Sequence, residues 1–447
     1  MIFNEFKQAV IAKCNESGIA EYELYYQVGG STEVGVFMHE INEFSSSLDG
    51  GVCFRCIVDG KMGYASTQAM DAAEAAAIVE RAMDNARTLE SEDVVFLGEG
   101  GQKYEPLELK TYDLPSTEEL ISTALKTQES LYANEGVIDG CQSQCFMQQS
   151  KIAIVNSKGL DLSYENSAAG LVTVAVVTNG KEMENNFEFK LGQLSTIDID
   201  ALTKKATEGA LKKLGGEVAP TGQYPVVFNP EAMCSLLGVF ASTFSSEAAQ
   251  KGLSKLADKE GQVIASEIVT LVDDPFHKDN PEPMNFDAEG SPTHRKNIIE
   301  KGVLNTLLYN LKTAHKAGKK TTGNASKAGY TSAVGISPFT MYLAGGEMTE
   351  EELLQKVGNG VYITDLSGLH AGANAISGDF SLQSAGYMIE NGVKTTYVKS
   401  FTVAGNFYEL LKNITAVANN SQLPRAMGKT AIGAPTTWVS GLSIAGK

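Results

Sequence analysis

Val52-Cys-Phe-Arg-Cys-Ile-Val-Asp-Gly-Lys-Met-Gly-Tyr-Ala-Ser66 is the stretch that decides the fold of the first half of the chain. Asp59-Gly60 is a hairpin-turn dipeptide, since a two-residue turn between strands needs positive φ at both positions, which Asp tolerates and Gly adopts freely. Val52–Val58 and Lys61–Ser66 are therefore expected to pair antiparallel. Upstream, Tyr22, Leu24, Tyr26 and Val28 alternate with polar neighbours, and Val34, Val36 and Met38 alternate again, which extends the hairpin into a meander. Helices surround it. Asn4 to Asn15 sets Phe6, Val10, Ile11 and Cys14 at helical spacing with Gly18 as a stop, and Asp71 to Ala86 does the same with Ile78, Val79, Ala82 and Met83. Ser116 and Glu119 form a capping box ahead of a helix from Glu118 to Tyr132.

From Ile138 to Lys190 the pattern returns to strand, with turns at Asn156-Ser-Lys-Gly159 and Asn179-Gly180. The apolar run Leu171 to Val177 predicts burial on both faces there. A helix from Ala201 to Leu214 follows, and Gly215-Gly216-Glu-Val-Ala-Pro220 reads as a domain boundary. In the second half, Pro230 to Phe244 predicts one helix with Pro at its first position. Short strands dominate thereafter: Tyr224 to Phe228, Ile268 to Val272, Asn297 to Ile299, Val303 to Tyr309, Val361 to Asp365, Gly386 to Glu390 and Lys399 to Val403. The expected class is α+β: an amino-terminal mixed α/β domain with an antiparallel sheet over residues 1–216, and a β-rich, barrel- or sandwich-like domain over residues 217–447.

A chain of 447 residues with 43% apolar and 20% charged residues is long enough for two sizeable cores, which excludes a miniature disulfide scaffold. No apolar run is long enough to span a bilayer, so no membrane association is expected. Its net charge of −18 repels a phosphate backbone, and Lys312, Lys316, Lys319 and Lys320 are the densest basic group, so no direct nucleic-acid partner is expected. The amino terminus lacks a basic region leading into an apolar core, and the expected address is the cytoplasm. Six cysteines are spread thinly. Cys53 and Cys56, the one close pair, point to opposite faces of a strand, so the thiols read as buried apolar groups.

Tests for chemistry give few positives. A hydrolytic zinc site on a helix needs two His one turn apart, and His39, His277, His294, His315 and His370 are scattered. His370, Ser377 and Asp379 are near in sequence, but a triad is defined by hydrogen-bond geometry rather than by proximity along the chain. Asp273-Asp274 and the pair Asp287 and Glu289 read as solvated turn residues rather than as an acid–base pair or a calcium site. No nucleophile elbow, phosphate loop or dinucleotide fingerprint occurs. What does stand out between Gly323 and Gly405 is the density of small and polar turn residues, in Gly323-Asn-Ala-Ser326, Ser367-Gly-Leu-His-Ala-Gly-Ala-Asn374, Ser377-Gly-Asp-Phe-Ser381, Ile389-Glu-Asn-Gly392 and Val403-Ala-Gly-Asn406. Such segments let backbone approach backbone or ligand, and tight barrel corners are the structural alternative.

These residues resemble the TldD/PmbA family, specifically its PmbA (TldE) branch, through Val58-Asp-Gly-Lys-Met-Gly-Tyr64, Phe286-Asp-Ala-Glu-Gly290, Glu300-Lys-Gly-Val-Leu304, Gly368-Leu-His-Ala-Gly-Ala-Asn374, Ser377-Gly-Asp-Phe-Ser-Leu382, Ile389-Glu-Asn-Gly392 and Thr402-Val-Ala-Gly-Asn406. The resemblance implies a subunit of a two-subunit TldD/TldE-type metalloprotease that processes peptides, known in older naming as a modulator of DNA gyrase. In the TldD branch, zinc is held by a His-Glu-x-x-x-His helix and a cysteine near the carboxy terminus. The corresponding helix here, Pro230 to Gln250, has no His and ends in Ser242, Ser245, Ser246 and Glu247, and the last cysteine is Cys234. No catalytic or metal residue is therefore assigned to this chain, which is expected to be inactive alone. Zinc is expected only in a TldD-like partner. The peptide-binding candidates are His370, Asn374, Ser377 and Asp379. The alternatives are a non-enzymatic homodimeric peptide-binding or assembly protein and, more remotely, a hydrolase using His370, Ser377 and Asp379.

Overall fold

The computed structural model describes residues 1–90, 93–107, 113–280, 282–426 and 430–447. The chain divides into two units, the first built from Met1–Gly101, Glu108–Gly215 and Ala328–Ser332, the second from Gln102–Leu107, Gly216–Lys327 and Ala333–Lys447.

In the first unit a six-stranded antiparallel sheet is formed by β1 (Glu21–Phe37), β2 (Glu40–Val58), β3 (Lys61–Thr67), β4 (Gln142–Asn156), β5 (Asp161–Thr178) and β6 (Met183–Leu191), in the order β3-β2-β1-β4-β5-β6. Asp59 and Gly60 both have positive φ, 50° and 75°, as the turn requires. The two alternating runs upstream are one strand, β1, which passes through Gly29-Gly30 without interruption. The glycine pair lies opposite Leu48 and Asp49 within the ladder rather than in a turn. Even-numbered residues of β1 face the helices. Leu24 joins Phe6, Val10 and Cys14 of α1 (Phe3–Glu16) and Ile78, Val79 and Ala82 of α2 (Ala72–Thr88), while Val34 and Val36 join Leu120 and Ala124 of α3 (Thr117–Tyr132) and Ile199 of α4 (Ile199–Leu211). The expected helix starts are present: Ser116 and Glu119 cap α3 reciprocally. Two-sided burial at Leu171 to Val177 is corrected to a one-sided pattern. Leu171, Thr173, Ala175 and Val177 are buried, whereas Val172, Val174 and Val176 are half-exposed.

On the opposite sheet face Glu23 and Arg55 lie directly across β1 and β2 and form an ion pair of 2.7 Å, at 1% and 4% exposure. Asn156 of β4 donates its side-chain amide to Glu23 (3.2 Å) and to the Gly98 carbonyl (2.8 Å). All six cysteines are buried and none is in a disulfide. Burial pushes the Cys14, Cys145 and Cys234 thiols up to about 12 and that of Cys56 up to about 11, which leaves them protonated and packed.

The second unit contains the expected barrel. Strands β7 (Gly222–Phe228), β8 (Gly360–Ser367), β9 (Asp379–Glu390), β10 (Val393–Asn406) and β11 (Thr437–Ala445) run β11-β7-β8-β9-β10, and Thr402–Ala404 of β10 pairs with Ser443–Ala445 of β11 to close the ring. Of the five contacts around the ring, only that between β7 and β8 is parallel. The long crossover between them carries α5 (Pro230–Phe240), α6 (Ser246–Gln250), α7 (Leu311–Lys316), α8 (Glu350–Val357) and most of a second sheet that includes Leu271–Asp273, Lys296–Glu300 and Thr340–Leu343. The single helix expected over Pro230 to Phe244 stops at Phe240, a 3₁₀ turn follows, and Ser245 caps α6. The strand expected over Val303 to Tyr309 is only Val303–Leu304, because Leu308 donates its N–H to the Phe244 carbonyl and Tyr309 to the Thr322 hydroxyl. The core centres on Phe228, Phe240, Phe244, Phe380 and Phe407, with Phe240 stacked on Phe407 at 4.4 Å.

Replacing Arg55 with Met should cost about 3–5 kcal/mol in denaturant unfolding, because it strands the Glu23 carboxylate in the interior. The double variant Glu23→Leu/Arg55→Met should recover most of that loss; a single variant within 1 kcal/mol of the parent would show the pair does not hold the sheet.

Candidate functional site

The glycine-rich segment between β8 and β9 is a short exposed helix followed by a tight turn. Gly368, at φ 77°, opens α9 (Leu369–Gly372), on which His370 is exposed. Asn374 then folds the chain back. Its side-chain oxygen accepts from the N–H groups of Ile376 (2.9 Å) and Ser377 (3.1 Å), its own N–H donates to the Asp379 carbonyl, and its carbonyl accepts from Gly378. Gly378 has φ 83°, and a Cβ there would stand 2.4 Å from the Tyr408 ring. No other residue type fits without displacing that ring.

This turn is anchored to the start of α10 (Phe407–Asn413). Asn406 caps the helix through its side-chain oxygen, which accepts from Tyr408 and Glu409, and donates its amide to the Ser377 carbonyl (2.9 Å) and to the Asp379 carboxylate (2.8 Å). Lys255 donates to the same Ser377 carbonyl at 2.6 Å. The Asn406 amide, together with the Ser377 hydroxyl and the nearby Lys255 charge, holds the Asp379 carboxyl below its usual range. The structure thus gathers Asn374, Ser377 and Asp379 into one turn, with His370 on the helix before it. The side-chain oxygen of Asn374 is committed to local backbone. Asp379 is exposed, and Ser377 is half-exposed.

On the segment from α5 to α6 that the resemblance sets against a zinc-bearing helix, the late polar groups are engaged in packing. Ser246 donates to the Thr313 hydroxyl (2.8 Å), Thr243 to the Phe240 carbonyl (2.7 Å), Gln250 to the Thr313 carbonyl (2.8 Å), and Glu247 pairs with Lys251. Among the described residues no three His, Cys, Asp or Glu side chains converge in a way that could hold a metal ion. The donor set at these positions does not fit zinc.

The expectation that the acidic pairs are solvated is overturned. Asp273, Asp287 and Glu289 are 0%, 1% and 5% exposed. Asp273 accepts from the backbone N–H groups of Phe339 (2.9 Å) and Thr340 (3.1 Å), from the Asn324 amide (2.8 Å) and from Lys296 (3.1 Å). Asp287 accepts from the N–H groups of Glu289, Ser291 and Ala325, each at 2.9 Å. Glu289 accepts from Leu311 at the start of α7 (2.8 Å). These carboxylates replace solvent for backbone groups that no ladder satisfies. Asp273 had a legible signal, since it directly continues an apolar strand; the partners of Asp287 lie as far away as Ala325, and local sequence does not reveal them.

A β-barrel domain of this construction, with an antiparallel α/β unit before it, is that of the PmbA/TldD metallopeptidases. The first, central and carboxy-terminal domain models of the PmbA/TldA metallopeptidases match residues 22–86, 110–214 and 221–446, and the chain belongs to this family. It is 30% identical to a metalloprotease of Methanothermobacter thermautotrophicus, over 70% of this chain and 68% of that one. With the metalloprotease PmbA of Escherichia coli O157:H7 it shares 24% identity over 85% and 83% of the two chains. Among solved structures, a protein of Thermotoga maritima described as a modulator of a DNA gyrase superposes with a TM-score of 0.89 at 31% identity, covering 99% of this chain and all of that one. TldE from Thermococcus kodakarensis has the same fold, with a TM-score of 0.87 at 23% identity and 98% and 99% coverage.

Burial pushes the Asp287 carboxyl up to about 6, against the three backbone N–H groups and the Lys296 charge that favour ionisation. The folded chain therefore holds more protons than the unfolded chain between the ordinary Asp value near 3.8 and about 6, so this group's contribution to stability falls as pH rises through that window, by about 3 kcal/mol. Urea unfolding from pH 4 to 7 should show this decline in the parent and a flatter profile in Asp287→Asn, whose overall stability is lower because its amide faces the Ala325 N–H. Identical pH slopes would show that Asp287 is ionised throughout.

Proposed function

We propose that this chain is the zinc-free, PmbA/TldE-like subunit of a two-subunit peptidase, in which a TldD-like partner supplies the metal and this chain's β8–β9 loops line the peptide groove. One observation carries the reading: in this member of a metallopeptidase family the segment that resembles the zinc-bearing helix of the TldD branch has no histidine, and its Ser246 and Gln250 are already engaged by the hydroxyl and the carbonyl of Thr313 on α7. Zinc in the partner would polarise the scissile carbonyl and its bound water. This chain's part is to hold an extended substrate. Small residues from Gly368 to Asn374 keep side chains clear of the approach, the Asp379 carboxylate accepts from a substrate amide, and the exposed His370 donates at the groove wall. The Asn374 turn and the Asn406 cap fix the loop before substrate arrives, so its ordering adds no entropic cost to binding.

Purified alone and dialysed against zinc, the chain should retain well under one metal per molecule by elemental analysis. Coexpressed with a TldD-like chain it should copurify and turn over peptides. In that reconstituted enzyme Asp379→Ala should lower kcat/KM by about tenfold with assembly and Tm unchanged, in line with the loss of one hydrogen bond to a charged group. One tightly held transition metal per isolated chain, or full turnover by the variant, would overturn the respective part of the reading.

A further inference from the structure

The outer side of β2 is half covered. β3 pairs with Val52–Val58, whereas among the described residues no strand pairs with the outer side of Glu40–Gly50, and every side chain from Glu40 to Asp49 is exposed. Eleven residues at roughly 3.3 Å each leave about 36 Å of open backbone edge. Native sheets blunt such edges with lysine, proline or a covering element. Residues 40–50 contain no Lys, Arg or Pro, and the one bulge, between Gly35 and Val36 of the facing strand, sits at the far end.

The two faces of this edge differ in chemistry. Phe44 and Ile41 lie across from the buried Val34 and Val36, and Leu48 lies across from Gly30, so these three side chains continue the helix-covered face yet are 53%, 45% and 77% exposed. Glu43 and Asp49 point to the other face, Glu43 diagonal to Glu33, which lies across from Ser45, and Asp49 across from Gly29, where one of its carboxylate oxygens accepts from the Gln68 amide (2.8 Å). We infer that this edge receives an extended segment of a partner protein as an added antiparallel strand, one whose apolar residues alternate with lysine or arginine. The main chain supplies the ladder, the apolar residues cover Phe44 and Leu48, and the basic residues meet Glu43 and Asp49. A second copy of the same segment fits worse. The two-fold register that brings Phe44 opposite Leu48 also sets Glu43 opposite Asp49, and the one that brings Phe44 opposite Phe44 sets Leu48 opposite Glu40 and leaves the two Glu43 side chains diagonal to each other.

The test is a fluorescein-labelled nine-residue peptide of alternating valine and lysine, titrated into the full chain by anisotropy, with a valine–glutamate peptide as control. The lysine peptide should bind at least about tenfold more tightly, weaken in 0.5 M salt, and lose binding when its ladder-facing amides are N-methylated. The variant Glu43→Lys/Asp49→Lys should bind the glutamate peptide instead, and Phe44→Ser should weaken both. Equal binding of the two peptides, no binding of either, or a preference that the charge reversal does not invert would overturn the proposal. So would a parent chain that sediments as a dimer and becomes monomeric with Phe44→Lys, which would make the edge an interface between copies.

Discussion

Barrel closure, through Thr402–Ala404 of β10 pairing with Ser443–Ala445 of β11, is the constraint on which the second unit depends. A closed ring has no edge to protect, but it fixes strand direction everywhere. With four antiparallel contacts, the fifth, β7 against β8, must be parallel, and a parallel pair cannot be joined by a tight turn. The connection between these strands therefore runs from Asn229 to Asn359 and has room for α5, α6, α7 and the second sheet. The loops proposed to meet substrate lie on the other side of the same strand, where β8 passes through α9 into β9.

A crossover of that length cannot satisfy all of its backbone groups by ladders. Asp273, Asp287 and Glu289 complete the accounting, and Lys296 and Asn324 neutralise and orient the first of them. A buried ion pair seldom adds net stability, because desolvation offsets the attraction. What the Asp273 carboxylate does supply is specificity: its four donors come from three separate segments, so only one arrangement of those segments satisfies it.

How much of this was legible in the sequence depended on the range of each interaction. Asp59-Gly60, Ser116 with Glu119, and Asn391-Gly392 act within a few residues, and each turn or cap stands where its residues indicate. The length of β1 was not legible, because Gly29-Gly30 carries a turn signature that the neighbouring strands override through a continuous ladder. The break of α5 at Phe240 was hidden by apolar spacing that continues to Phe244. The burial of Asp287 was hidden for a different reason: its partner Ala325 is distant in sequence, and acidic residues beside glycine look solvated until the segment that covers them is known. At the proposed groove, the clustering of Asn374, Ser377 and Asp379 follows from adjacency, but the anchoring through Asn406 and Lys255 does not.

The first unit handles its two sheet edges differently, and that asymmetry bears on function more than on stability. At β6, Lys213 donates to the Asn185 carbonyl and Gly209 of α4 lies so close to Asn186 that a Cβ would stand 2.4 Å from its amide, so helix and lysine together cover the edge. Among the described residues neither device is present along Glu40–Gly50 of β2, although the same chain uses both elsewhere. An uncovered apolar edge raises the hazard of aggregation, and a sequence that protects one edge and leaves the other bare keeps that hazard only where pairing serves a purpose. The acids beside it set the terms of that pairing: they repel strands of like charge, a copy of this chain included, and admit a basic one.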